Sequence, residues 1–216
     1  SGAYAWVGMR SGVMESLFWL DDSMNVQKNL VDDYSVSDDG LVWTIVLRDG
    51  VLFQSGNIMD AAAVKASLER TCSMQSRAEK ELNIASIEAD GNTLTITTRE
   101  PNPVLPNCLC DPYSGIVDVK SLDTDGNATV GTGPFKLVEY VENERLELDA
   151  FDDYWAGKPA SKHVTIRSTS DLDASTLALQ KGELDACYGL PYAPATCLTE
   201  RVASRSRRPR PRACIR

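Results

Sequence analysis

The sequence predicts a mixed α/β fold of the α+β kind, and two stretches carry that prediction. In residues 41–70, LVWTIVLRDGVLFQSGNIMDAAAVKASLER, an apolar pattern of period two gives way to one of period 3.6. In residues 84–98, two alternating runs flank Asp90-Gly91, the sequence of a hairpin turn.

Taken in order, the chain opens with Trp6, Arg10 and the segment Gly12–Leu20, in which Met14, Leu17 and Phe18 fall on one helical face. Asp21-Asp22-Ser23 ends that helix, and Met24-Asn25-Val26 begins a short strand. Leu41, Trp43, Ile45 and Leu47 alternate with Val42, Thr44 and Val46, which predicts a strand with one buried face. Asp49-Gly50 predicts a tight turn, because glycine accepts the positive φ that such a turn requires. A second short strand and the turn Gln54-Ser55-Gly56-Asn57 follow. Asp60 stands at a helix N-cap, its carboxylate free to accept a backbone N–H. Ala61, Val64 and Leu68 then mark the inner face of a helix, and Lys65 and Glu69 lie one turn apart on its outer face.

Residues 71–83 read as a loop or helix end. In the hairpin 84–98, Leu94 and Ile96 face inward and Thr93, Thr95 and Thr97 outward. Pro101, Pro103 and Pro106 forbid a central strand and point to a turn that leads into a helix. Thr124-Asp125-Gly126-Asn127 is loop. A further hairpin, Phe135–Val141 and Leu146–Phe151, closes over Glu142-Asn143-Glu144. Val164-Thr165-Ile166 is a strand, Asp173 caps a helix through Lys181 with Gly182 as its stop, and Glu183–Leu190 returns as a strand.

Composition bounds the function. The chain has 216 residues and a net charge of −9. Seven of the 22 basic residues are arginines between Arg201 and Arg216, which leaves 15 basic against 31 acidic residues in the first 200. An acidic body does not bind nucleic acid through phosphates. The six cysteines, Cys72, Cys108, Cys110, Cys187, Cys197 and Cys214, lack the spacing of a disulfide scaffold and read as free, mostly buried thiols. His163 is the only histidine and opens a strand between Lys162 and Val164, an ordinary half-exposed position. One histidine supplies neither a zinc site nor a nucleophile–base pair, so no catalytic residue, metal ligand or cofactor is assigned. SGAYAWVG is not a signal peptide, and no apolar run approaches a membrane span.

Four motifs carry a family resemblance. Trp43-Thr44 and Leu47-Arg48-Asp49-Gly50-Val51 with Phe53, followed by the helix ending Ser67-Leu68-Glu69-Arg70, form the first. Gly131-Thr132-Gly133-Pro134-Phe135 is the second, Tyr154-Trp155-Ala156-Gly157-Lys158-Pro159 the third, and the last helix with Gly182-Glu183-Leu184-Asp185 the fourth. Ser37-Asp38-Asp39-Gly40 also matches, and the segment Gly12–Leu20 lies in the place of the family's Tyr/Glu-x-Leu helix. Together they resemble the extracellular solute-binding proteins of ABC importers, family 5, which capture peptides, nickel chelates and related solutes.

The resemblance implies a fold like the type II periplasmic binding proteins, with residues 1–20 and 135–195 as the first lobe, 21–134 as an inserted domain, and the second lobe missing. The motifs end at Pro191, and 196–216 reads as a disordered Arg-rich tail. The implied function is capture of a peptide or related small solute, or a nickel chelate, and its delivery to a membrane permease by a monomeric extracytoplasmic protein, a lipoprotein in its full-length form. One wall of the solute site would include Trp6, Arg10, Tyr113 and Tyr188, where aromatic faces stack and arginine grips a carboxylate. Nickel-carrying members use a tryptophan and an arginine where this chain has Glu79 and Ser114, which argues against direct nickel-chelate binding. The alternatives are an interaction protein that uses the Arg-rich tail on an acidic partner or nucleic acid, and a fragment without useful affinity.

Overall fold

The structure is a computed structural model that describes residues 7–123 and 129–187. Its centre is a four-stranded antiparallel sheet in the order β3-β4-β6-β5, built from β3 (Val31–Val36), β4 (Val42–Leu47), β5 (Ile84–Asp90) and β6 (Thr93–Thr98). Two smaller sheets join it: β1 (Phe18–Leu20) with β2 (Val26–Lys28), and β7 (Phe135–Val141), β8 (Arg145–Ala150) and β9 (His163–Arg167) in that order. The helices are α1 (Ala61–Met74), α2 (Ser76–Leu82), α3 (Leu105–Cys108) and α4 (Leu172–Lys181).

The pleat of β4 does what its alternation predicts. Trp43, Ile45 and Leu47 are buried, and Val46 is exposed. Register places Trp43 opposite Ile96 and Ile45 opposite Leu94, so the two strands present one apolar face. α1 covers it. The Asp60 carboxylate caps α1 by accepting the Ala63 N–H at 2.8 Å, and Ala61, Val64 and Leu68 are fully buried beneath it. Lys65 and Glu69 form the outer ion pair at 3.8 Å. The hairpin β5–β6 turns at Gly91-Asn92, with Asp90 opposite Thr93. The hairpin β7–β8 turns through Asn143 as predicted.

Several expectations are corrected. Residues 12–20 are not helical; helix is confined to 7–10, and Phe18–Leu20 is strand β1. Met14, Leu17 and Phe18 are buried, but so is Ser16, and a segment enclosed on all sides gives no periodicity that separates helix from extended chain. The Asp49-Gly50 turn forms, yet Val51–Phe53 is no strand: it contributes one bridge, Leu52 to Ile58, and β4 pairs with β3 and β6 instead. Residues 71–74 are the helix end of α1, but 76–82 form a further helix, α2, rather than a loop. The cap of α4 is Asp171, which accepts the Ala174 N–H at 2.8 Å, two residues before Asp173. Residues 183–187 are not strand. The predicted strand end 188–190, the loop 124–127, Cys197, Cys214 and the Arg-rich tail lie outside the described residues. Cys72, Cys108, Cys110 and Cys187 are free thiols, half-buried rather than buried.

Close packing divides the chain into two units, Ser1–Val138 with Leu148–His163, and Glu139–Glu147 with Val164–Arg216. The first holds one continuous apolar core running from Leu17 to Ile116. In the second, Arg145 binds Glu139 at 2.8 Å and Glu144 at 3.2 Å across the hairpin, and Ser175 is the one buried residue of α4.

Candidate functional site

Two of the motifs meet at the carboxylate of Glu15. The chain around Glu15 is extended and bridges to Ile116, whose N–H donates to the Glu15 carbonyl at 2.8 Å. Glu15 Oε1 accepts the Tyr154 hydroxyl at 2.8 Å. Glu15 Oε2 accepts the Thr132 hydroxyl and the Trp155 indole N–H, both at 2.9 Å. Burial pushes the Glu15 carboxyl above its ordinary range, and the donors of Trp155, Tyr154 and Thr132 offset only part of that. Burial also raises the Tyr154 phenol, and the adjacent carboxylate adds to it. The Arg48 guanidinium lies 4.5 Å from the Trp155 ring centre, so the first motif joins the others by a cation–π contact.

A second tie secures the Gly-Thr-Gly-Pro-Phe segment. The buried Gln54 amide donates to the carbonyls of Val13, Gly133 and Phe135 at 2.9, 3.0 and 2.7 Å, and its oxygen accepts the Gly131 N–H at 3.2 Å. Here glycine is required by approach: a Cβ on Gly131 would lie 2.3 Å from the Val13 carbonyl oxygen, and one on Gly133 equally close to that of Gly12. A third tie gathers Ser55, Asn57 and Ser121 on Asp118 Oδ2 at 2.7 to 2.8 Å. Burial pushes the Asp118 carboxyl up, but these donors and the Lys120 N–H outweigh it and hold it below its usual range. Such satisfied polar ties fix chain crossings.

The expected wall residues fall as follows. Arg10 is exposed on the helical turn 7–10. Tyr113 is buried against the core, and its hydroxyl donates to Glu81 Oε2 at 2.8 Å, with the Arg77 guanidinium 5.4 Å from its ring centre. Arg77 in turn holds Glu81 and Asp111. Burial and the Glu81 carboxylate raise the Tyr113 phenol. The two segments are neighbours, since Met9 Sδ lies 3.5 Å from the place of a Cβ on Gly115. Trp6 and Tyr188 lie outside the described residues. Ser114 is fully buried and donates to the Asp111 carbonyl, while Glu79 is exposed on α2. His163 is exposed and lies 2.7 Å from Asp149. Among the described residues no three His, Cys, Asp or Glu side chains could hold a metal together, and no helix is long and apolar enough to cross a membrane.

Glu15, Gln54, Thr132 and Asp118 were missed as tie points by sequence reasoning. The signal available for Glu15 was a lone acid inside the apolar run Met14–Phe18; for the others there was none, because most of their partners are 41 to 117 residues away.

Comparison with known proteins gives a consistent set of relatives. The profile of the bacterial extracellular solute-binding proteins, family 5, matches residues 25–205, past Pro191 where the motifs quoted above end. The glutathione-binding protein GsiB of Salmonella paratyphi A is 35% identical over 195 residues, covering 86% of this chain and 38% of that protein. The crystal structure of a nickel ABC transporter from Bacillus halodurans superposes with a TM-score of 0.83 at 38% identity, covering 90% of this chain and 41% of that one. NikA from Staphylococcus aureus, in complex with Ni(L-His)2, gives 0.74 at 34% identity over 80% of this chain and 37% of that one. The chain thus spans about two-fifths of the length of the relatives it matches.

Proposed function

We infer what the chain does from the family to which it belongs, the bacterial extracellular solute-binding proteins of family 5. It is a binding component of an ABC importer: it captures a small solute outside the cytoplasm and hands it to a membrane permease without chemical change. The observation that carries this reading is the family match over residues 25–205, supported by the meeting of two motifs on Glu15. The solute we propose is a peptide or peptide-like molecule, in line with a glutathione-binding relative at 35% identity. Nickel chelates are the second class, since two similar structures are of nickel-binding proteins; Glu79 and Ser114 at the places named above favour the peptide.

By family topology, residues 1–20 and 135–195 belong to the first lobe and 21–134 to the inserted domain, an assignment separate from the packing units. Arg10, with Trp6, Tyr113 and Tyr188, lines one wall. Arg10 is the residue suited to a solute carboxylate, while Tyr113 acts mainly by holding its segment in place. The protein works as an extracytoplasmic monomer, lipid-anchored in its full-length form.

A two-lobed site encloses its solute between walls, so one wall by itself binds weakly. Losing on the order of 150 Å² of apolar contact costs roughly 4 kcal/mol, close to a thousandfold. Calorimetry with glutathione, mixed short peptides and Ni(L-His)2 tests the proposal. Weak binding of the peptides that falls further in Arg10→Ala supports it. Tight binding of Ni(L-His)2 and none of peptide would overturn the solute class.

A further inference from the structure

The edge of the central sheet at β5 faces a hollow that the solute reading does not use. The hollow is lined by Glu69, Cys72 and Ser73 of α1, Glu79 of α2, the consecutive residues 84–87 of β5, and Arg99. The register of β5 against β6 shifts between Ile84 and Ser86, so side chains do not simply alternate there, and these four residues present one continuous stretch to the hollow. β5 is last in the strand order and, among the described residues, carries no neighbour on that side. Ala85, Ser86 and Ala89 are small and exposed, so the backbone of the edge is not covered by its own side chains. The helices α1 and α2 form the opposite wall.

Charge gives this edge a direction. β5 and β6 are antiparallel, with Ile84 opposite Thr98 and the Arg99 N–H donating to the Asn83 carbonyl at 2.9 Å. Arg99 therefore stands at the Ile84 end, while Glu88 and Asp90 stand at the other. Arg99 makes no ion pair among the described residues, whereas Glu69 is engaged by Lys65. Glu79 is exposed and faces the same hollow.

We propose that the β5 edge of this chain binds a short basic peptide with a free C-terminus, as an added antiparallel strand whose carboxylate meets Arg99. Main-chain hydrogen bonds to an open edge supply affinity in this mode of recognition. An antiparallel strand beside β5 ends at the Ile84 end, which puts its carboxylate at Arg99 and its amino end near Glu88 and Asp90. The parallel arrangement would place both charges against like charge. Lysine side chains on the peptide find Glu79 and Glu88. The four residues 84–87 of the hollow and the seven of the strand set the peptide's length at four to seven residues. This goes beyond the proposed function: it concerns a surface of the first packing unit.

Calorimetric titration with a hexapeptide of alternating valine and lysine, as the free acid and as the C-terminal amide, tests it. The free acid binds, and amidation weakens it about tenfold, as loss of a charge-assisted pair does. Arg99→Gln, an exposed substitution, weakens the free acid by the same factor and leaves the amide unchanged. Methylation of the peptide's alternate backbone nitrogens abolishes binding in the register that donates to β5. Equal affinity of acid and amide, indifference to Arg99→Gln, binding by peptides methylated at either set of nitrogens, or no heat at about 1 mM peptide would each overturn the proposal. A peptide held elsewhere on the protein shows itself by keeping its affinity in Arg99→Gln.

Discussion

α1 and α4 begin with the same device and end in different environments. Each is capped by an aspartate that accepts a backbone N–H three residues on at 2.8 Å. α1 buries Ala61, Val64, Ser67, Leu68 and Thr71, whereas α4 buries Ser175 and leaves Leu177 half exposed. The cap and the 3.6 period state that a helix forms. They do not state what covers it. α1 has the inner face of β5 and β6 against it, and most helical stability comes from such packing rather than from propensity.

The difference can be broken from the top down. Glu15→Ala removes an acceptor shared by one buried and two half-buried donors in the first unit, and it should cost about 3 kcal/mol in urea denaturation. Glu15→Gln should cost about 1 kcal/mol. Its amide oxygen can keep Thr132 and Trp155, and the Tyr154 hydroxyl can turn to accept. Leu68→Ala should cost about 3 kcal/mol, the cavity cost of a fully buried leucine. Leu177→Ala, its counterpart on α4, should stay within about 0.5 kcal/mol. Asp60→Ala and Asp171→Ala remove equivalent caps and should each cost about 1 kcal/mol of helix stability. In the first unit that loss appears in the global transition; in α4 it appears as reduced helicity alone. Equal effects of the two leucine substitutions would erase the contrast.

The pH dependence sharpens it. Burial raises the Glu15 carboxyl above its ordinary value, so the folded state holds that proton more tightly than the unfolded chain. The stability this contributes is fully present below the unfolded value and is lost as pH rises through the folded one. A denaturation series from pH 4 upward should show wild type losing stability relative to Glu15→Gln across that window, at about the same rate in high salt, since the cause is burial. A difference that stays flat with pH would show that Glu15 is not buried as described.

Local signals were legible in the sequence, and long-range ones were not. The alternation of β4, the Asp60 cap, the hairpins β5–β6 and β7–β8 and the stop at Gly182 depend on neighbours within a few residues. The pairing of β4 with β6, and the bond between Thr132 and Glu15 across 117 residues, depend on where the chain returns. Helix and strand could not be told apart in Met14–Phe18, because every side of that segment except part of Glu15 is enclosed. Asp171 and Asp173 were both plausible caps by composition, and only the geometry of Ala174 N–H chooses between them. The motifs announced a family correctly, yet their side chains turn out to bind one another. Tyr113 shows the same: an aromatic picked out for a ligand is held by Glu81 and Arg77.

The central claim is that α1 is packed into the core of the first unit while α4, among the described residues, buries only Ser175. Native-state hydrogen exchange measures this directly, because each amide reports the free energy of the opening that exposes it. The amides of Val64 and Leu68 in α1, and of Ile45 and Ile96 in the sheet, should exchange only through global unfolding and respond fully to Leu68→Ala. Those of α4 from Thr176 to Lys181 should exchange through local opening, orders of magnitude faster and indifferent to Leu68→Ala. Equal protection of α1 and α4, falling together in the variant, would contradict the account.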